Sequence, residues 1–114
     1  MKKYAFFGGS FNPPTYAHLE IAKITLLEMN LDKFFFVPVG NNYRKKSLID
    51  EYERYEMLNL LCKNEENIMV EDIELNRDKE LTIYEALKNI QEKYNNSKNY
   101  YIMGADNILK LSRA

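Results

Sequence analysis

The stretch FFGGSFNPPTYAHLEIAK, residues 6 to 23, contains two glycines, two prolines and the only histidine of the chain. The apolar run over residues 4 to 7 is typical of a buried strand, which Gly8 and Gly9 end. Apolar residues then recur at about the helical period, so His18 is predicted to lie in the first turn of a helix. These positions are Leu19, Ala22, Leu26 and Met29. Such a helix entrance can receive an anion, because first-turn N–H groups lack partners and the helix dipole favours negative charge there.

Length, charge and cysteine content limit the class of protein. A chain of 114 residues predicts a single domain over residues 1–114 with a modest core. The formal net charge of -1 gives no electrostatic reason to expect nucleic acid or a membrane surface as a partner. No segment has the length and apolarity of a signal peptide or a bilayer span. The single cysteine, Cys62, lies on an apolar helical stripe, which indicates a buried thiol and a cytoplasmic protein.

Strands and helices alternate along the rest of the chain. Further strands are predicted at residues 33–39, 68–75 and 100–103. Helices are predicted after Asp50 and Thr82, each of which has a glutamate three positions later. Asp106 or Asn107 is predicted to cap a last helix. The helical stripes after the two capping residues comprise Tyr55, Leu58 and Leu61 in one, and Ile83, Leu87, Ile90 and Tyr94 in the other. This alternation predicts an α/β fold with a parallel sheet and right-handed crossovers.

Polar segments follow three of the predicted strands, at residues 8–18, 40–46 and 104–107. In parallel sheets ligands bind outside the carboxyl ends of the strands. We therefore expect these three segments to open onto one edge and to form the site together.

The helix entrance carries its own chemistry, although it matches neither of the two common glycine-rich nucleotide motifs. Thr15 can cap the helix, and His18 lies three residues later, on the same face. A hydroxyl and an imidazole beside free N–H groups can bind phosphate oxygens. The alternative is that Thr15 is only a cap and His18 an ordinary surface histidine. The chain offers no Ser-His-Asp arrangement, Cys-His pair or zinc cluster that would indicate other chemistry.

Several segments together resemble a known superfamily. GGSFNPPTYAHL is similar to the phosphate-binding motif of the nucleotidyltransferase α/β-phosphodiesterase superfamily, and the likeness is strongest to its bacterial nicotinate-nucleotide adenylyltransferase family. The other matching segments are FFVPVGN, YERYEML, VEDIEL, LTIYEAL and YYIMGADNILKL. The resemblance implies a Rossmann-like, HUP-like sheet with alternating helices.

The resemblance also implies a reaction. Such enzymes transfer AMP from ATP to nicotinate mononucleotide, which gives deamido-NAD and pyrophosphate, with Mg²⁺ accompanying the ATP. ATP and a pyridine mononucleotide are therefore the expected partners. The chemistry asks for positioning and charge neutralisation more than for a nucleophile. Two other functions remain open: a sister adenylyltransferase acting on a substrate such as phosphopantetheine, and a nucleotide-binding module that does not catalyse.

By the resemblance, His18 and Thr15 are the expected catalytic residues. ATP would be bound by Gly8, Gly9, Ser10, Phe11, Gly104, Ala105 and Asp106. The mononucleotide would be bound by Asn12, Lys46, Arg54 and Thr82.

Each of the less specific matches has a structural alternative. The basic run at residues 44–46 can simply be solvated. Arg54 can form a surface ion pair with Asp50. Thr82 and Asp106 can be helix caps.

The sequence departs from the family pattern at three places. Ala17 replaces the usual glycine, and Asn12 replaces the commoner aspartate, which removes a charge. The family pattern also continues beyond residue 114, with a late arginine motif that contacts ATP phosphates, so the chain resembles the N-terminal portion of the family domain. An uncovered sheet edge would then favour self-association as a homo-oligomer, and the 114-residue chain alone is expected to be inactive.

Overall fold

The computed structural model describes residues 1–41, 48–79, 81–103 and 107–110, and for residues 103 and 107–110 it describes the backbone. Strands and helices alternate through most of this range. The strands are β1 (Lys2–Gly9), β2 (Lys33–Pro38), β3 (Ile68–Val70), β4 (Ser97–Met103) and β5 (Asn107–Lys110). The helices are α1 (Tyr16–Glu28), α2 (Glu51–Cys62) and α3 (Ile83–Lys93).

The described strands form one five-stranded sheet in the order β3-β2-β1-β4-β5. The first four are mutually parallel, with β1 between β2 and β4. The expected α/β fold with a parallel sheet is therefore confirmed.

The last predicted helix is wrong. Residues Asn107–Lys110 form β5, which pairs antiparallel with β4 and aligns Met103 with Asn107. A four-residue apolar segment has no distinguishing period, so the free edge of β4 decides its conformation.

Two other strands differ in length from their predicted bounds. β3 ends at Val70, although the Glu71 N–H still donates to the Phe36 carbonyl at 2.8 Å. The buried carboxylate of Glu71 accepts from Lys93 Nζ and the Tyr94 hydroxyl. β4 begins at Ser97, three residues before its predicted start, because its pairing with β1 extends to Lys2 opposite Ser97.

The sheet separates two apolar layers. One face packs on α1 and α2 around a cluster that includes Phe34, Phe36 and Leu58. The other packs around Phe6 and Ile90, the latter from α3. Cys62 is buried as predicted, and burial raises the pKa of its thiol to about 11. A thiol held protonated in this way is a poor nucleophile.

Most residues of the two predicted helical stripes pack in the apolar layers: Leu58 and Leu61 of α2, Leu87 and Ile90 of α3, and Tyr94 after α3. On α2 the buried residues are Glu51, Arg54, Leu58 and Cys62. On α3 they are Ala86 and Ile90, whereas Ile83 is 48% exposed. Glu51 and Arg54 were not predicted on the buried face of α2 because charged residues are rarely buried.

In the part of the chain that is described, none of the helices combines enough length with enough apolarity to cross a membrane.

Candidate functional site

The carboxyl ends of the three central strands meet at one edge of the sheet. The register aligns Gly8 with Met103 and Gly9 with Pro38, and Val39 N–H donates to the Gly9 carbonyl at 3.0 Å. The segments after β1 and β2 therefore begin side by side, as expected. β4 also ends at this edge, at Met103, but Gly104, Ala105 and Asp106 after it lie outside the described residues, as does Lys46.

Thr15 and His18 are in direct contact at the entrance of α1. Thr15 is the N-cap residue, and its backbone N–H donates to His18 Nδ1 at 2.9 Å. An imidazole nitrogen that accepts a hydrogen bond is unprotonated, so the neutral ring carries its proton on Nε2. No described residue accepts a hydrogen bond from that nitrogen. Nε2–H is therefore available as a donor to a ligand.

Partial burial lowers the pKa of His18 below its ordinary value of 6.5. The ring of Phe11 lies against it, with centroids 5.0 Å apart. A neutral donor is therefore held at the mouth of the helix near neutral pH.

The first turn of α1 favours an anion. It contains no acidic residue, and Thr15 before it is exposed. The amides of Tyr16 and Ala17 open the helix, where N–H groups have no partner within the helix. Partly positive amides and a neutral imidazole donor suit phosphate oxygens.

The His18 tautomer can be tested directly, since the chain has one histidine. We expect ¹⁵N spectra to show the Nε2–H tautomer and a titration midpoint below 6.5. Because the unfolded chain binds this proton more readily, stability should fall as the pH drops from 6.5 towards the folded-state pKa. A midpoint above 6.5, or a proton on Nδ1, would contradict the arrangement.

Gly8 and Gly9 make room for two aromatic side chains. A Cβ atom on Gly8 would lie 2.1 Å from the hydroxyl oxygen of Tyr101, and one on Gly9 would lie 3.2 Å from the ring of Phe11. A side chain at Gly8 would therefore clash with Tyr101, whereas one at Gly9 would be tight against the ring of Phe11. These contacts are independent of the predicted approach of both glycines to ATP, which stays a prediction.

Phe11 holds the loop between β1 and α1. Its ring is buried against Phe7 and Phe36, and its φ of 48° lies in the left-handed region. A bulky residue there costs about 1–3 kcal/mol, which its buried ring offsets. The following peptide, between Asn12 and Pro13, is cis. The buried side chain of Phe11 therefore anchors the loop beside His18.

Asn12 connects this loop to the start of α2. Its side-chain oxygen accepts the Ile49 N–H at 2.6 Å. The oxygen is common to Asn and Asp, so the departure from the family pattern keeps this contact. Direct binding of substrate by Asn12 stays a prediction.

Arg54 is not at the surface, so the predicted alternative of a surface ion pair with Asp50 is wrong. The residue is 0% exposed, and its guanidinium donates to the backbone carbonyls of Ile49 at 2.6 Å, Ser10 at 3.0 Å and Val39 at 2.7 Å. Its Nη2 atom is also buried and has no partner among the described residues. The guanidinium is therefore buried against backbone carbonyls, and its direct contact with a mononucleotide stays a prediction.

Sequence reasoning missed Glu51 and Asn41. Glu51 is 5% exposed and accepts the backbone N–H groups of Asn41 and Asn76, each at 2.8 Å. Asn41 in turn accepts from Glu51 N–H at 2.8 Å and donates to Asp50 at 3.0 Å, which lowers the pKa of the Asp50 carboxyl. Glutamate is almost never fully buried unless it is paired, so the burial of Glu51 could not be predicted from its place in the first turn.

Thr82 caps α3, which was the alternative to its predicted role in binding substrate. Its hydroxyl accepts the Glu85 N–H at 3.1 Å, and Glu85 accepts the Thr82 N–H at 2.9 Å. The side chain is exposed, and a contact with substrate stays a prediction.

Within the described ranges, no three His, Cys, Asp or Glu side chains converge closely enough to hold a metal ion. The donors around the entrance of α1 are amides, a hydroxyl and an imidazole. They suit phosphate oxygens, and a Mg²⁺ ion would be held through the phosphates of its nucleotide.

Comparison with known proteins agrees with this geometry. Residues 6–114 match the model of the family described as cytidylyltransferase-like. The "Probable nicotinate-nucleotide adenylyltransferase" of Clostridium novyi (strain NT) is 38% identical over 113 residues, which are 97% of this chain and 56% of that protein. The "Nicotinate-nucleotide adenylyltransferase" of Bacillus subtilis (strain 168) is 30% identical over 95% of this chain and 58% of that protein.

A solved structure has the same fold. The Plasmodium falciparum nicotinic acid mononucleotide adenylyltransferase complexed with NaAD superposes with a TM-score of 0.70 at 28% identity, over 89% of this chain and 51% of that one. The chain spans about half the length of the curated relatives it matches. The family match begins within β1 and takes in the helix entrance with Thr15 and His18, and by that match the chain belongs to the cytidylyltransferase-like family.

Proposed function

We propose that this chain supplies the ATP-binding part of a nicotinate-nucleotide adenylyltransferase, which transfers AMP from ATP to nicotinate mononucleotide. The observation that carries the proposal is the entrance of α1, where His18 Nε2–H and first-turn amides form a donor group for phosphate at the sheet edge. The names of the relatives supply the substrates: they are adenylyltransferases of this mononucleotide.

In the proposed reaction a phosphate oxygen of the mononucleotide attacks the α-phosphorus of ATP. A new P–O bond forms, the bond between the α-phosphorus and the bridging oxygen breaks, and pyrophosphate leaves with the electron pair. Charge develops on the leaving pyrophosphate, where His18 Nε2–H and the α1 amides would donate hydrogen bonds. Donors fixed before the reaction lower its barrier because they need no reorganisation.

The ATP would enter as its Mg²⁺ complex, because transfer reactions of phosphates commonly use the cation to neutralise charge. Gly8, Gly9, Ser10 and the Phe11 backbone would lie along the nucleotide. A cytoplasmic site for the reaction is consistent with the free thiol of Cys62.

The test is pyrophosphate release by the complete protein, measured with ATP, Mg²⁺ and a panel of acceptors. The panel contains nicotinate mononucleotide, nicotinamide mononucleotide and phosphopantetheine. Release with a pyridine mononucleotide supports the proposal. Release with phosphopantetheine alone would identify a sister enzyme, and ATP binding without release would identify a nucleotide-binding module.

We expect the acid to be preferred over the amide by at least about tenfold in kcat/KM. A ring carboxylate can accept hydrogen bonds from backbone N–H groups at a helix N-terminus such as that after Thr82, whereas a neutral carboxamide gains less from the same donors. The measurement is kcat/KM for both mononucleotides at saturating ATP. Equal values, or a higher value for the amide, would overturn this preference.

A further inference from the structure

Two buried residues of opposite charge lie at the start of α2. Glu51 is 5% exposed and Arg54 is 0% exposed, and they lie three residues apart on the buried face of the helix. Burial of charge is costly unless hydrogen bonds and an opposite charge compensate it. The hydrogen-bond partners of Glu51 and Arg54 therefore indicate what the two buried charges do.

The partners of Glu51 and Arg54 are backbone groups. They lie in the segments that follow β1, β2 and β3 and in the segment that precedes α2. Glu51 accepts from the N–H of Asn41, which follows β2, and from the N–H of Asn76, which follows β3. Arg54 donates to Ser10 after β1 and Val39 after β2. It also donates to Ile49 before α2.

Gly40, between Val39 and Asn41, lies close to both Glu51 and the segment after β3. A Cβ atom on Gly40 would lie 2.7 Å from the Glu74 carbonyl and 3.2 Å from Glu51 Oε1. The segments after β2 and β3 are thus in close contact beside the pair. One carboxylate and one guanidinium satisfy backbone groups that no strand or helix satisfies here.

We propose that Glu51 and Arg54 are positioning residues, which fix the loops of the candidate site relative to one another and contact no substrate. The inference rests on the proposed function. Ser10 precedes Thr15 and His18 in the chain, and Asn76 precedes Thr82. An in-line transfer requires two substrates to be aligned, and a displacement of about 1 Å can cost roughly a hundredfold in rate.

The chain offers a matched control for Glu51. Glu71 is 3% exposed and also accepts two donors, Lys93 Nζ at 2.9 Å and the Tyr94 hydroxyl, but its partners lie on α3 and next to it. Glu51→Gln and Glu71→Gln each remove one buried carboxylate charge. Only Glu51→Gln removes a charged acceptor from the backbone N–H groups of Asn41 and Asn76.

The experiment compares both variants in the complete protein at a temperature where circular dichroism shows each to be folded. For Glu51→Gln we expect amide hydrogen exchange at Asn41 and Asn76 to accelerate at least tenfold. We also expect kcat with ATP and nicotinate mononucleotide to fall at least tenfold. Glu71→Gln should lower the melting temperature while kcat stays within twofold. Equal kcat in both variants would overturn the proposal.

Two further variants, Glu51→Asp and Arg54→Lys, test the proposal if Glu51→Gln does not fold. If Glu51→Gln does not fold, Glu51→Asp retains the charge but is too short to reach both amides, and the same comparison applies. Arg54→Lys retains the positive charge but loses the planar fork, so its kcat should lie between wild type and Glu51→Gln. If wild type releases no pyrophosphate, the proposed function fails, whereas the exchange rates at Asn41 and Asn76 still test whether the pair holds the loops.

Discussion

Substituting His18 by alanine should reduce turnover of ATP by at least roughly a hundredfold, the effect of removing one preorganised donor from a developing negative charge. The fold should persist, because the ring is half-buried at the edge of the core and α1 retains its buried residues Leu19 and Ala22. Pyrophosphate release by the complete protein measures the effect, and thermal unfolding measures stability.

His18 has two separable roles, so a second variant distinguishes them. Nδ1 accepts the Thr15 N–H, and Nε2 is the proposed donor to phosphate. Glutamine at this third helical position can also accept from the N-cap amide. His18→Gln should therefore recover stability lost in His18→Ala without recovering turnover. If glutamine restores both, the role of His18 is only to cap the helix. Glu20→Ala, an exposed change two residues further along α1, is the control for the helix itself.

Gly8→Ala should destabilise the fold by about 1–3 kcal/mol, as insertion of a methyl group into a packed site does. The new Cβ would lie 2.1 Å from the Tyr101 hydroxyl oxygen and 2.9 Å from its Cζ. Tyr101 is 4% exposed and packs in the cluster with Phe6 and Phe35, so its ring cannot move away freely. Urea unfolding of the chain measures the loss.

Two companion variants test this cause. In Gly8→Ala combined with Tyr101→Phe the clashing oxygen is absent while the carbon contact stays, so part of the loss should be recovered. Gly9→Ala places its Cβ at 3.2 Å from Phe11 and should cost less than Gly8→Ala. Equal losses at Gly8 and Gly9, or no recovery in the double variant, would show that the Tyr101 contact is not the cause.

The segment around the first helix could be predicted because its signals are local. Gly8 and Gly9 end an apolar run, Thr15 is a capping residue, and the helix begins at Tyr16 as expected. The parallel orientation of β1 to β4 could be predicted because strands alternate with helices along the chain, and such connections have right-handed crossovers. The contact between Thr15 and His18 was also predictable, since residues three apart at a helix start lie on one face.

The features that could not be predicted depend on distant partners. Nothing near Arg54 indicates that carbonyls from Ser10 and Val39 converge on its guanidinium. The buried carboxylate of Glu71 is likewise bound by Lys93 and Tyr94, more than twenty positions later in the chain. The segment after residue 106 is a strand because it pairs with β4, and its sequence allows helix equally well.

The central position of β1 has a consequence for how the chain is synthesised. β1 is the first strand made, yet its register aligns Lys2 with Ser97 of β4. At about 5–20 residues per second, the ribosome leaves that side of β1 unpaired for roughly 5–20 seconds, while β2 is already available on the other side. The nascent chain therefore exposes an apolar strand edge during translation, and chaperone binding to residues 2–9 would shield it until β4 emerges.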